Sequence, residues 1–177
     1  ELDLETQALR ELTSDIGELW DFDGEDHVVF GQFIGGGQES ADVFLYKFSD
    51  GSTVNLNEDQ VAQMRASVSG DAVTYVDGSS SSEPCVWANE TCDQLDLRLR
   101  HIGQPQDSLV AQHPNLRGIW QNRVRGELVV YYVQGDGLYA KNLANGGTYE
   151  LFADVEFSAT QPNLMGLWVP PTADAVY

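Results

Sequence analysis

Basic residues are scarce in this chain. Nine Lys and Arg stand against 28 Asp and Glu, a net charge of −19 over 177 residues. Phosphate backbones and anionic membranes are held by clustered Lys and Arg, so neither nucleic acid nor membrane insertion is expected. An acidic surface suits salty surroundings, divalent cations or a basic partner, or serves solubility alone. No stretch approaches the ~20 apolar residues of a membrane span. There is no signal peptide. The chain opens on Glu1 rather than Met, as a processed or excised form would, so the missing leader is silent about export. Catalytic motifs are missing too: no Gly-x-Ser-x-Gly elbow, phosphate loop or zinc-protease helix occurs. His27, His101 and His113 stand far apart without metal-ligand spacing. Carboxylates are too abundant for any pair to signal a glycosidase. The sequence therefore points away from an enzyme.

Cysteine is nearly absent. Cys85 and Cys92 lie in one polar stretch that begins at Ser79. A local disulfide clipping this loop implies an oxidising compartment, and so a secreted, cell-surface or periplasmic protein. The other reading is two free thiols in a cytosolic loop. Two ligands make no structural zinc site unless distant His or carboxylates join them. Asn89-Glu90-Thr91 is a glycosylation sequon, of consequence only in a eukaryotic source.

What is present is β structure. The apolar fraction, 42%, is that of a folded protein, and the length suits one domain with a real core. Short runs such as Val43-Phe44-Leu45-Tyr46, Ala72-Val73-Thr74-Tyr75-Val76 and Leu128-Val129-Val130-Tyr131-Tyr132 alternate with Gly, Asp, Asn and Ser turns. Only residues 4–12 and 57–66 could pass as helices, and neither keeps a 3.6 period. One unit recurs. It opens with an apolar residue near a glycine: Gly17, Gly70, Gly118 and Gly166, spaced 53, 48 and 48 residues apart. A β-rich run follows, at His27 to Gln32, Ala72 to Asp77, Leu128 to Val133 and Asp174 to Tyr177. In the first, third and fourth copies extra residues stand between the glycine and this run. A hairpin closes the unit, as in Leu45 to Leu56 around Asp50-Gly51 and Leu138 to Leu151 around Gly146-Gly147. Leu97 to Val110 is a degenerate copy, and Leu2 to Thr13 repeats this half at the start of the chain.

The pattern resembles the TolB-like (WD40-like) β-propeller repeats, on Val68-Ser69-Gly70-Asp71-Ala72-Val73-Thr74-Tyr75-Val76-Asp77 and Leu2-Asp3-Leu4-Glu5-Thr6. The resemblance implies an all-β fold and is nearly silent on function. The expected architecture is a small β-propeller of about four blades, each a four-stranded antiparallel meander. Family propellers usually have more. The units are 16–59, 60–112, 113–154, and 155–177 completed by 1–15, so one blade is split between the N- and C-termini. Its halves join within one chain, or between chains as a dimer or filament, or belong to a larger propeller.

Three functions follow. The first is a non-catalytic extracytoplasmic module that binds a protein partner or itself through loops or terminal strands. The second is a glycan-binding propeller using Trp87 in the cysteine loop, or Trp20, Trp120 and Trp168, which follow the opening glycine in three units. Each of these tryptophans equally suits packing. The third is a polysaccharide lyase or hydrolase with its site in the central channel. Asp21, Asp23 and Asp26, in Asp21-Phe22-Asp23-Gly24-Glu25-Asp26, form the densest carboxylate cluster. They are the candidate calcium ligands, although a full EF-hand loop is lacking; a solvated turn is the plainer reading.

Overall fold

The computed structural model describes residues 18–23, 25–33, 41–57, 62–82, 94–113, 119–133 and 136–153. They form three four-stranded sheets, each an antiparallel meander. The first holds β1 (Glu18–Phe22), β2 (His27–Phe33), β3 (Ala41–Lys47) and β4 (Thr53–Asn55). The second holds β5 (Gln63–Ser69), β6 (Ala72–Asp77), β7 (Leu95–His101) and β8 (Asp107–His113). The third holds β9 (Ile119–Arg125), β10 (Leu128–Val133), β11 (Gly137–Asn142) and β12 (Thr148–Ala153). The meanders are consistent with propeller blades. The fourth, split blade expected from the repeats falls on residues 1–17 and 154–177, outside the described residues.

Turn chemistry explains the hairpins. Ser69 pairs with Ala72 across Gly70-Asp71, and Arg125 with Leu128 across Gly126-Glu127. Gly70 and Gly126 have φ of 58° and 54°, while the residue after each has negative φ. That is the type II′ turn, with glycine first, whose twist suits a two-residue hairpin. This corrects the repeat register read from sequence. Gly70 follows its first strand, and its counterpart is Gly126, not Gly118. The supposed extra residues of the first and third copies are β1 and β9, the first strands themselves.

Strand alternation stacks the sheets. Every residue of β6 is buried. Val73 and Tyr75 pack with Val29, Val43, Leu45, Ala66 and Val68 on the first-sheet side. Ala72 and Val76 pack with Leu97, Val124, Val129, Tyr131 and Val133 on the third-sheet side. A continuous apolar strand is what burial on both faces demands. Full burial of side chains of this size stabilises by about 1.5–3 kcal/mol each. The first strands lie closest together: β5 packs on β1, β2 and β3, and β9 on β5, β6 and β7. Each first strand also carries a β-bulge. Trp20 and Trp120 are the residues left without a partner in the ladders of β1 and β9.

The two outer faces of the stack are apolar as well. On the first sheet, Phe30 stacks on Phe44 with ring centres 5.6 Å apart, and Tyr46 meets Phe48 edge-on. On the third sheet, Val130, Tyr132, Leu138 and Ala140 alternate with the residues that face the second sheet. Phe30 and Tyr46 are 2% exposed, and Val130 and Tyr132 0% and 3%. Farther out on the same third-sheet face, Tyr149 and Phe152 of β12 are more than half exposed.

Candidate functional site

Polar side chains on the first strands form a seam across all three sheets. Asp21 Oδ2 of β1 accepts from Ser67 Oγ of β5 at 2.6 Å and from the Val68 amide at 3.2 Å. Arg125 Nη1 of β9 lies 3.4 Å from the same oxygen and donates to the carbonyl oxygens of Val68 and Val124. Ser67 Oγ in turn accepts from the Val124 amide. One bulge further along, Asn122 Oδ1 accepts from Thr74 Oγ1 at 2.6 Å, and its Nδ2 donates to the Arg65 carbonyl at 2.7 Å. Arg65 holds φ of 53°, unusual for a side-chain-bearing residue, so this bond anchors a strained bulge. Buried polar groups satisfied this fully fix how the sheets register on one another.

The three aspartates expected to converge on a cation do not share a site. Asp21 is spent on the seam. Asp23 Oδ1 accepts from the amides of Glu25, Asp26 and His27, and Oδ2 lies 2.9 Å from His27 Nδ1. Burial works to raise the Asp23 pKa, but these bonds together outweigh it and hold the carboxyl below its usual range. Asp26 reaches the other way, accepting from the Ser49 amide and hydroxyl in the β3–β4 turn. Each carboxylate closes its own turn or seam. Among the described residues no group of three or more His, Cys, Asp and Glu is placed to hold a metal ion.

Sequence reasoning missed a second polar knot. Asn57, just beyond β4, donates to the Tyr75 hydroxyl at 2.9 Å. Tyr75 donates to Asp107 Oδ2, and Asp107 Oδ1 pairs with Arg100 Nε at 3.0 Å. Burial first, then the bond to Asp107, raises the Tyr75 pKa. The knot ties the end of the first sheet to the outer strand of the second. Tyr75 reads in sequence as one more apolar strand residue; only the 32-residue separation from Asp107 closes in space, and no local signal announces it.

The remaining expectations fall outside the described residues. Cys85, Cys92, Trp87 and Trp168 lie there, as do the side chains of Trp20 and Trp120. The long connections between second and third strands, residues 34–40 and most of 78–94, lie there too. No helix among the described residues is long and apolar enough to cross a membrane.

No protein-family profile matches the chain, and no curated protein matches it in sequence. Solved structures do match its fold. TolB from Acinetobacter baumannii aligns over 88% of this chain and 38% of its own, at 12% identity and a TM-score of 0.57. An oligogalacturonate lyase in complex with manganese aligns over 92% of this chain and 44% of its own, at 13% identity and a TM-score of 0.60. The computationally designed Ika4 protein aligns over 84% of this chain and 81% of its own, at 14% identity and a TM-score of 0.50. The chain thus spans less than half the length of the first two. At these identities the likeness is one of fold alone. The chain carries a distant, low-identity resemblance to the TolB-like β-propeller proteins.

Proposed function

We propose that the chain is a non-catalytic, extracytoplasmic binding and assembly module. In this reading it is a four-bladed propeller whose fourth sheet is drawn from strands within residues 1–17 and 154–177. The observation that carries it is the pair of apolar outer faces. Tyr75 of the second sheet and Tyr131 of the third each pack toward the preceding sheet. Phe30 holds the same place in the first sheet and is equally buried, with no preceding sheet among the described residues. The third sheet repeats the argument at the other end, through Val130 and Tyr132. The 41 residues flanking the three sheets match the length of one blade: the first and third span 38 and 35 residues. The seam adds support. Asp21 and Arg125 belong to the first and third sheets and still lie within side-chain reach, as a ring of few blades requires.

Function follows from how that fourth sheet is made. Closed within one chain, the propeller presents its loops to a partner; completed by another copy, it assembles. Light scattering over a range of concentrations tests it. A constant mass near 19.5 kDa supports closure and a loop-borne binding role. Mass that grows with concentration supports assembly through strand exchange. A chain that stays at 19.5 kDa while exposing both faces, read as strong binding of a hydrophobic dye, would overturn the four-blade reading.

A further inference from the structure

The second and third sheets enclose a cleft of about 600 Å³ beside the Gly70-Asp71 and Gly126-Glu127 turns. That size lies within the usual range of ligand sites, about 300–1,000 Å³. Its floor is aliphatic, from Leu99, Val110 and Leu143. It opens to solvent past Asp71, whose side chain is 77% exposed.

Two of its polar groups meet each other: His101 Nδ1 lies 3.2 Å from Asp71 Oδ2. Two others do not. Lys141 reaches from β11 across to β8, where its Nζ donates to the Val110 carbonyl. It is one of only two lysines in a chain with 28 acidic residues, yet no carboxylate among the described residues pairs with it. An ammonium has three donors, and a single carbonyl leaves two open. Glu127, on the third-sheet turn, lines the same cleft, and among the described residues its carboxylate has no cationic partner either. The cleft therefore offers one open cation and one open anion over an aliphatic floor, and the two do not pair with each other.

We propose that this cleft binds a short apolar peptide with free termini, its carboxylate on Lys141, its ammonium toward Glu127 and its side chains on Leu99, Val110 and Leu143. The proposal is independent of how the fourth sheet is made. Leucyl-leucine is the probe, titrated into the full chain and followed by methyl NMR. Saturable shifts are expected at Leu99, Val110 and Leu143. N-acetyl-leucyl-leucine and leucyl-leucinamide should each bind about tenfold more weakly or worse, since each removes one charge-assisted bond. Lys141→Met should lose binding and Lys141→Arg keep it. Glu127→Gln, an exposed turn change that folding does not need, should weaken leucyl-leucine and leave the N-acetyl form unaffected. The absence of saturable shifts at millimolar probe, or equal binding of the blocked and free dipeptides, would overturn the proposal.

Discussion

Replacing Asp21 by Ala takes away the acceptor shared by Ser67, the Val68 amide and Arg125. Bonds to a charged, largely buried group contribute about 1.5–3 kcal/mol, so a loss of that order is expected in urea denaturation. Asp23 tests the same principle through pH. Its folded pKa lies below the ordinary 3.8, so the stability it contributes is fully present above that value and disappears as pH falls through the folded pKa. In Asp23→Asn the charge is gone at every pH. The stability gap between the two proteins should be open above pH 3.8 and narrow as pH falls below it. A gap that widens on acidification would contradict the hydrogen-bonded placement of this carboxylate. Neither role was legible in sequence, where Asp21, Asp23 and Asp26 read as one cluster. Spacing along the chain says which residues are near, but not that a turn, a seam and a neighbouring hairpin pull them apart.

The hairpins were legible because turns are local. Asp50-Gly51 and Gly146-Gly147 mark the β3–β4 and β11–β12 turns, and Gly51 and Gly146 hold the positive φ that those places need. The first strands were not legible. β1 and β9 read Glu-Leu-Trp-Asp-Phe and Ile-Trp-Gln-Asn-Arg-Val-Arg, without clean alternation. Asp21, Asn122 and Arg125 are bonded to the second sheet rather than solvated, so the period that reveals a half-buried strand is lost. Two glycines separate backbone conformation from space. At Gly126 a side chain would meet nothing, and only its positive φ resists substitution, so Gly126→Ala should cost about 1–2 kcal/mol. At Gly137 a Cβ would run into the Phe152 carbonyl, so Gly137→Ala must push β12 away from β11. It should cost about 1–3 kcal/mol, with the amides of β12 exchanging faster than those of β9. Equal exchange at both strands would mean that the sheet absorbs the methyl elsewhere.

The whole molecule stands or falls on its outer faces. Tyr132→Ala should destabilise by about 3–5 kcal/mol, the range for emptying a large buried aromatic site. Tyr149→Ser and Phe152→Ser, on exposed positions of the same face, should change stability by no more than about 0.5 kcal/mol. If they instead lower the mass seen in concentrated solution, those two rings are where copies meet. The stacking of sheets was readable from β6 and its continuous apolar run; the crossing from first sheet to third was not. That crossing bears on how such a protein grows. Duplicating a unit is the ordinary route by which repeat proteins lengthen, since each repeat then needs only its neighbours. Here Arg125 and Asp21 skip the unit between them. A duplicated meander inserted between their sheets would part the two side chains and leave a charge of each sign unmatched. On the four-bladed reading proposed above, a change in blade number would have to rebuild this seam in the same step.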